Sequence, residues 1–114
     1  MVTPAEAIAW ALELPEAEQQ PHVNKTSFRV RKRIFATLDM VTQHLVVKLN
    51  EVDQSIFTAG NATVIYPVAG AWGKKGWTQI ELSKVRKSIC HDALQTSYCL
   101  VAPQKLAQQV RQIE

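Results

Sequence analysis

Hydrophobic and polar positions change their spacing several times along this chain, and each change marks a predicted element. Thr3-Pro4-Ala5-Glu6 has the form of a capping box with proline at the first helical position, and apolar residues follow at helical spacing. We expect this first helix to end near Leu14-Pro15. The polar, acidic residues 15–24 show no such spacing and are predicted to form a loop.

The next part of the chain alternates between apolar and polar residues, which is typical of strands with one buried face. Three successive strands are predicted, at residues 27–30, 34–38 and 45–49, with Arg31-Lys32 at the turn between the first two. In the second of them, Ile34, Ala36 and Leu38 share one face. Asn50 then stands where it can cap a short helix that stops at Gly60.

Two more strands and the longest helix follow. The strands are predicted at residues 64–66 and 78–82, and Ser83 is expected to cap a helix that ends before Pro103. On this spacing the helix turns four apolar residues inward: Val85, Ile89, Ala93 and Leu100. A last short helix is predicted from Gln104 to about Arg111.

This order of elements predicts an α+β fold of two layers, with a mostly antiparallel sheet of about five strands and helices packed on one face. A chain of 114 residues is long enough for one such core and too short for two, so residues 1–114 are expected to form a single domain. The other face of the sheet would stay open. On the assigned alternation it carries Arg29, Arg31, Phe35, His44, Val46, Lys48, Ile65 and Trp77.

Composition fits a globular protein, with 46% hydrophobic and 20% charged residues, and this excludes disorder as the main state. The net charge of +3 is unevenly spread. Residues 1–24 hold four acidic and no basic residues, whereas the remainder holds 13 basic and six acidic residues. The cations gather at three places: the hairpin (Arg29, Arg31, Lys32, Arg33), the loop at residues 70–77 (Lys74, Lys75) and the start of the long helix (Lys84, Arg86, Lys87).

The basic hairpin and the loop at residues 70–77 each have a functional and a purely structural interpretation. A cationic hairpin can act as a wing against a nucleic-acid backbone, or it can discourage edge-to-edge aggregation of the sheet. In the loop, glycines permit close approach of a ligand, lysines neutralise phosphates, and Trp72 or Trp77 can stack on a base. The same glycines can simply form a turn, with the tryptophans packed on the core. The spacing of a Walker loop is absent.

Catalytic and metal chemistry finds little support in the sequence. Cys90 and Cys99 would lie ~13 Å apart along one helix, too far for a disulfide, and thiols fit a reducing cytoplasm. His22, His44 and His91 have no metal-ligand spacing, so no cofactor, metal or catalytic residue is expected. We expect no signal peptide and no membrane span, since glycine, proline and polar residues interrupt the uncharged residues 54–73.

The sequence resembles the MmcQ/YjbR family of small bacterial proteins over nearly its whole length. Tyr66-Pro67-Val68 followed by Trp72-Gly73-Lys74-Lys75-Gly76-Trp77-Thr78 is the most telling match. Ser27-Phe28-Arg29-Val30 and Val101-Ala102-Pro103-Gln104-Lys105-Leu106 support it, while Ala71 extends the loop relative to the family pattern. The resemblance implies an antiparallel α+β fold of the type III secretion chaperone group and a double-wing type of DNA-binding arrangement.

The first functional hypothesis is a non-enzymatic cytoplasmic protein that binds duplex DNA with little sequence specificity. The residues assigned to this role are Arg29, Arg31, Lys32, Arg33, Lys48, Trp72, Lys74, Lys75 and Trp77. The alternative is a protein-interaction or chaperone-like module, such as a homodimer, that uses Phe35, Val46, Ile65 and Trp77 on the open face. A small enzyme is the third hypothesis, and it would require a histidine and a cysteine brought together in a pocket.

Overall fold

A computed structural model of the protein describes residues 1–112, which form five helices and six strands. Residues 113 and 114, which belong to the predicted domain, lie outside the described residues. The helices are α1 (Pro4–Glu13), α2 (Glu51–Thr58), α3 (Ala71–Lys74), α4 (Lys87–Val101) and α5 (Gln104–Gln112). The strands are β1 (Glu18–His22), β2 (Lys25–Val30), β3 (Arg33–Asp39), β4 (His44–Lys48), β5 (Ile65–Pro67) and β6 (Trp77–Glu81).

The strands form one antiparallel sheet in the order β1-β2-β3-β4-β6-β5. Helix α4 packs across β3 and β4, and α1 and α5 pack against α4. Helices α2 and α3 contact the β5 and β6 end. The predicted α+β fold with an antiparallel sheet is therefore confirmed. Within residues 1–112, no helix combines the length and the apolar character that a membrane crossing requires.

Strand β1 is the sixth strand, which the sequence did not predict. It occupies part of the expected loop, and all five of its side chains are exposed. It pairs only with β2, so it forms an edge of the sheet, where Pro21 costs no ladder hydrogen bond to a further strand. An edge strand without a buried face has no apolar alternation, and for this reason the spacing of apolar residues did not indicate it.

The core of the sheet is a row of side chains that runs across four strands. Leu38 lies opposite Leu45, Leu45 opposite Ile80, and Ile80 opposite Ile65, and all four are buried. The prediction that Ile65 lies on the open face is therefore wrong. Its pairing with Ile80 places it in the buried row, and its neighbour Tyr66 takes the outer position.

The ends of α1 and α2 confirm the predicted capping residues. Thr3 Oγ1 accepts a hydrogen bond from the Glu6 amide at 3.1 Å, and the Thr3 amide donates to Glu6 Oε1 at 3.0 Å. Asn50 Oδ1 accepts from the Asp53 amide at 2.7 Å. Side chains here satisfy amides that the first turn of a helix leaves unpaired.

The long helix ends before Pro103 as predicted, but its start and one of its predicted buried residues differ. It begins at Lys87 after the cap residue Arg86, and not at a Ser83 cap. Its buried residues are Cys90, Ala93, Leu94, Ser97 and Tyr98, whereas Leu100 is 43% exposed. A helical period of 3.6 residues brings position 101, not 100, into line with this face, and Val101 is half-buried.

Three hairpin turns contain non-glycine residues with positive φ: Val23 in the first, Arg31 and Lys32 in the second, and Gln43 in the third. Arg31 and Lys32, the predicted turn, have φ of 50° and 69°, the backbone of a tight turn that matches the twist of its strands. In the β1–β2 turn, Val23 has φ of 58° and is 90% exposed. A β-branched residue is strained in this region, and no packing of the exposed side chain compensates for the strain.

Replacing Val23 with glycine is predicted to stabilise the protein by about 0.5–1 kcal/mol. Relief of positive-φ strain, about 1–2 kcal/mol, exceeds the added backbone entropy of glycine, about 0.5–1 kcal/mol. Val41→Gly is the matched control, because Val41 is 93% exposed in another hairpin turn and has no positive φ. The free energy of unfolding of Val41→Gly, measured by chemical denaturation, should be lower by about 0.5–1 kcal/mol. Equal losses in both variants would contradict the account of strain at Val23.

Candidate nucleic-acid interface

The hydroxyl of Ser97 stands between the backbones of β3 and β4. The ladder of these strands ends at the pair Ala36 and Val47, although both strands continue. Just beyond that pair, the wholly buried Ser97 Oγ donates to the Phe35 carbonyl at 2.5 Å and accepts from the Lys48 amide at 3.0 Å. A side chain of α4 therefore replaces the next direct strand-to-strand hydrogen bond, and β3 and β4 separate beyond it.

A β-bulge in β3 lies at the same place. Phe28 is opposite Ala36 and Arg29 is opposite Ile34, so Phe35 is an extra residue in its strand. The bulge turns Phe35 into the core, where its ring meets Tyr98 edge-on at 5.5 Å between centroids. The predictions that Phe35 lies on the open face and Ile34 on the buried face are both wrong, because this one extra residue exchanges their positions.

A cleft of about 690 Å³ lies where the two strands separate. Its lining includes six of the nine residues that the sequence assigned to nucleic acid: Arg29, Lys32, Arg33, Lys48, Lys75 and Trp77. The remaining lining residues are Ile34, Leu49, Asn50, Leu100 and Val101. No carboxylate is among the described residues that line this cationic cleft, so its five positive side chains are not neutralised from within.

Sequence reasoning missed the second group of lining residues for identifiable reasons. Ile34 and Leu100 were expected in the core, and Asn50 was interpreted only as a helix cap. The bulge turns Ile34 out of the core, and Leu100 lies off the buried face of α4, which runs through Leu94 and Ser97. The strand alternation of Lys48 and Trp77, which pair across β4 and β6, was the signal that correctly indicated this part of the surface.

Gly76 fixes the position of Lys75 and Trp77 at the cleft. It has φ of 105°, and a Cβ atom there would lie 1.8 Å from the Leu49 carbonyl oxygen. The Leu49 amide donates to the Gly76 carbonyl at 2.9 Å, which joins the end of β4 to the start of β6. The close approach that this glycine permits is thus to the protein's own backbone, so the turn interpretation of the loop holds here.

The two tryptophans of the loop have different surroundings. Trp77 is half-buried in the cleft, with Lys48 Nζ 5.7 Å from its ring centroid. Trp72 is 61% exposed on α3, with Lys75 Nζ 5.3 Å from its ring centroid. Trp72 and the exposed Lys74 are not among the cleft-lining residues. Only part of the loop therefore belongs to the site.

Arg31 also lies outside the cleft. Its Nε donates to Glu16 Oε1 at 2.7 Å and its Nη2 donates to Glu16 Oε2 at 3.2 Å. These hydrogen bonds lower the pKa of the Glu16 carboxyl and raise the pKa of the Arg31 guanidinium. The positive charge of Arg31 is thus paired with Glu16, which lies in the acidic segment before β1.

The start of the long helix does not join the hairpin and the loop in one basic surface. The cleft contacts α4 at Leu100 and Val101, whereas Lys87 begins the helix ~20 Å away along its axis. Lys87 forms an ion pair with Glu6 at 2.9 Å, which lowers the pKa of that carboxyl. Two of the three basic places in the sequence therefore converge, and the third is separate.

The open face across β4, β6 and the edge strand β5 carries a network of paired polar groups. The Tyr66 hydroxyl donates to Glu81 Oε2 at 2.6 Å, and Gln79 Nε2 donates to the Tyr66 hydroxyl at 3.1 Å. His44 Nδ1 lies 3.1 Å from the same Gln79 nitrogen. The bond to the carboxylate raises the pKa of Tyr66. Of the apolar residues that the interaction hypothesis placed on this face, only Val46 and Trp77 remain on it.

The cysteines and histidines that the structure describes have separate surroundings. Cys90 is buried in α4, and burial raises the pKa of its thiol to about 12. His91 meets the edge of the Trp10 ring at 5.4 Å, and Cys99 lies on another turn of the helix. Over the same residues, no group of three or more histidine, cysteine, aspartate or glutamate side chains is arranged to hold a metal ion.

The fold and the site together define a small α+β protein with an open antiparallel sheet and a cationic cleft at one end of it. The chain belongs to the YjbR family, whose model matches residues 12–100. This confirms the resemblance noted in the sequence. The crystal structure of the Deinococcus radiodurans protein DR2400, with the family domain DUF419, is similar at a TM-score of 0.79 and 20% identity. The match covers 97% of this chain and 89% of that one, and it establishes the shared fold. No curated protein matches the chain.

Removing the Ser97 hydroxyl is predicted to destabilise the protein by roughly 2–4 kcal/mol. Ser97→Ala removes the hydrogen-bond partner of the buried Phe35 carbonyl and of the part-buried Lys48 amide, and each unpaired group costs about 1–3 kcal/mol. Thr96→Ala is the control, because the Thr96 hydroxyl only bonds the Asp92 carbonyl within the exposed turn of the same helix. The control should stay within about 0.5 kcal/mol in urea unfolding. A similarly small loss for Ser97→Ala would show that its hydroxyl does not hold the two strands.

Proposed function

We propose that this member of the YjbR family is a non-enzymatic cytoplasmic protein that binds nucleic acid, duplex DNA included, by holding backbone phosphates in the cationic cleft. The observation that carries the proposal is that cations from separate parts of the chain converge on one cleft. Five positive side chains from the β2–β3 hairpin, the end of β4 and the loop before β6 line one cleft, and no carboxylate is among its described lining residues. Chain segments that are distant in the sequence thus supply charge of one sign to one place.

Phosphate contacts supply affinity but carry no sequence information. If all five cations contact phosphates of a duplex, log affinity falls with log salt at a slope of about −4.5, since each contact contributes about 0.9. Between 50 and 200 mM salt this corresponds to a loss of roughly 500-fold. Low sequence specificity follows from the same geometry, because flexible cations at the end of a sheet contact backbone and not base edges.

The interaction hypothesis has weaker support. Phe35 and Ile65, two of its four proposed interface residues, are buried in the core, and polar groups bonded to each other occupy much of the remaining open face. Burial of those side chains removes the apolar area that a stable protein interface requires at its centre. The cationic cleft is therefore the stronger candidate site.

Charge reversal at two of the five cationic residues of the cleft is predicted to weaken binding to a fluorescently labelled blunt duplex at least tenfold at ~50 mM salt. The variant is Lys32→Glu with Lys75→Glu, two exposed residues. Its salt slope should be smaller than that of the unchanged protein by about 1.8, for two lost contacts. Fluorescence anisotropy measures both quantities.

The matched control is Arg86→Glu with Lys105→Glu, which changes the net charge equally at exposed sites outside the cleft. This variant should keep its affinity within about threefold and its slope within about 0.5, since long-range attraction alone is affected. Equal weakening in both variants would assign the binding to net charge and not to the cleft. An unchanged protein that fails to bind at ~50 mM salt would overturn the proposed function.

A further inference from the structure

The cationic cleft differs from a surface built only for phosphates, because its lining is half apolar. Ile34, Leu49, Trp77, Leu100 and Val101 lie among the five cations and Asn50. Its volume of about 690 Å³ falls within the range of roughly 300–1,000 Å³ that is typical of ligand-binding clefts. A phosphate backbone has no group that would occupy such a lining, whereas a nucleobase is a flat, largely apolar ring with polar edges.

We infer that the cationic cleft takes up an unpaired nucleotide, with its base against the indole of Trp77 and its phosphates on the surrounding cations. The inference rests on the proposed function and specifies its ligand. It follows that nucleic acid with an unpaired base, in a single strand or an overhang, binds more tightly than a fully paired duplex with the same number of phosphates.

The surroundings of Trp77 carry this assignment. Its side chain is half-buried, so one part of the ring is held by the protein while another part faces the cleft. Lys48 Nζ lies 5.7 Å from the ring centroid. Because this ammonium group lies over the ring, a base that stacks on that face of the indole displaces it, and the displaced ammonium stays within reach of the nucleotide's phosphate. Base stacking on an aromatic side chain tolerates any base, which agrees with low sequence specificity.

A paired duplex cannot use the apolar lining without deformation. Its bases are stacked on one another inside the helix, and unstacking one of them costs free energy that an unpaired base does not require. A duplex would thus contact only the cations at the rim. A single strand would contact the rim and the lining together.

The experiment compares three labelled probes with equal numbers of phosphates: a thymidine single strand, an abasic single strand of the same length and a blunt duplex. The thymidine strand should bind roughly 5- to 100-fold more tightly than the abasic strand, which has the backbone but no base to stack. Equal affinity for these two strands would overturn the inference, while tight binding of the duplex would still support the proposed function. Binding of none of the three probes would overturn both.

The two tryptophans of the loop provide matched variants. Trp77→Leu keeps an apolar side chain in the cleft but removes the aromatic ring, so the thymidine strand should fall to the affinity of the abasic strand. Trp72→Leu removes an equally large ring, which also has a lysine ammonium group close to it but does not line the cleft. This variant should preserve the difference in affinity between the thymidine strand and the abasic strand. Loss of the difference in Trp72→Leu, with its retention in Trp77→Leu, would contradict the assignment.

Tryptophan fluorescence tests the stacking contact itself and remains informative if Trp77→Leu is unstable. The variant Trp72→Phe leaves Trp77 in the cleft and Trp10 on α1, where Trp10 packs against His91. The thymidine strand should quench the tryptophan emission of this variant, and the abasic strand should leave that emission nearly unchanged. Equal quenching by both strands would show that the base does not reach Trp77.

Discussion

The cleft depends on one hydroxyl group between two strands. Ser97 reaches from α4 into the sheet and bonds the Phe35 carbonyl and the Lys48 amide, which would otherwise bond each other. Because it bonds both groups, it lets β3 and β4 separate while the Phe35 carbonyl and the Lys48 amide each keep a hydrogen-bond partner. The bulge at Phe35 belongs to the same arrangement, since it turns that ring onto Tyr98 and leaves Ile34 to line the opening.

The distribution of charge follows from the fold around this opening. Arg31, Lys84 and Lys87 each form an ion pair with a glutamate, and all three lie outside the cleft. The cations within it come from the β2–β3 hairpin, the last residue of β4 and the loop that Gly76 joins to β4. The excess positive charge of the chain is thereby concentrated at one end of the sheet, where a concave and partly apolar surface strengthens its effect on a bound anion.

Local signals in the sequence predicted most of the elements correctly, and the errors have a common physical origin. The capping residues Thr3 and Asn50 and the Arg31-Lys32 turn act through neighbouring backbone, so the sequence alone reveals them. The bulge at Phe35 depends on Ser97, 62 residues further along the chain, and alternation within β3 cannot indicate it. Six of the residues predicted to bind nucleic acid line the cleft, and five of them are cations that are evident in the sequence. Their convergence in one cleft could not be predicted, because it depends on the separation of β3 and β4.

The most direct test of this account is the position of bound nucleic acid on the protein, observed by amide chemical shifts during titration with a duplex that carries a short single-stranded overhang. We expect the largest changes at the amides of Arg33, Lys48 and Lys75 and at the indole N–H of Trp77. The amides of Tyr66 and Gln79 on the open face, and of Lys87 at the start of α4, should change little. Changes centred on the open face or on the start of α4, with the cleft unaffected, would contradict the account.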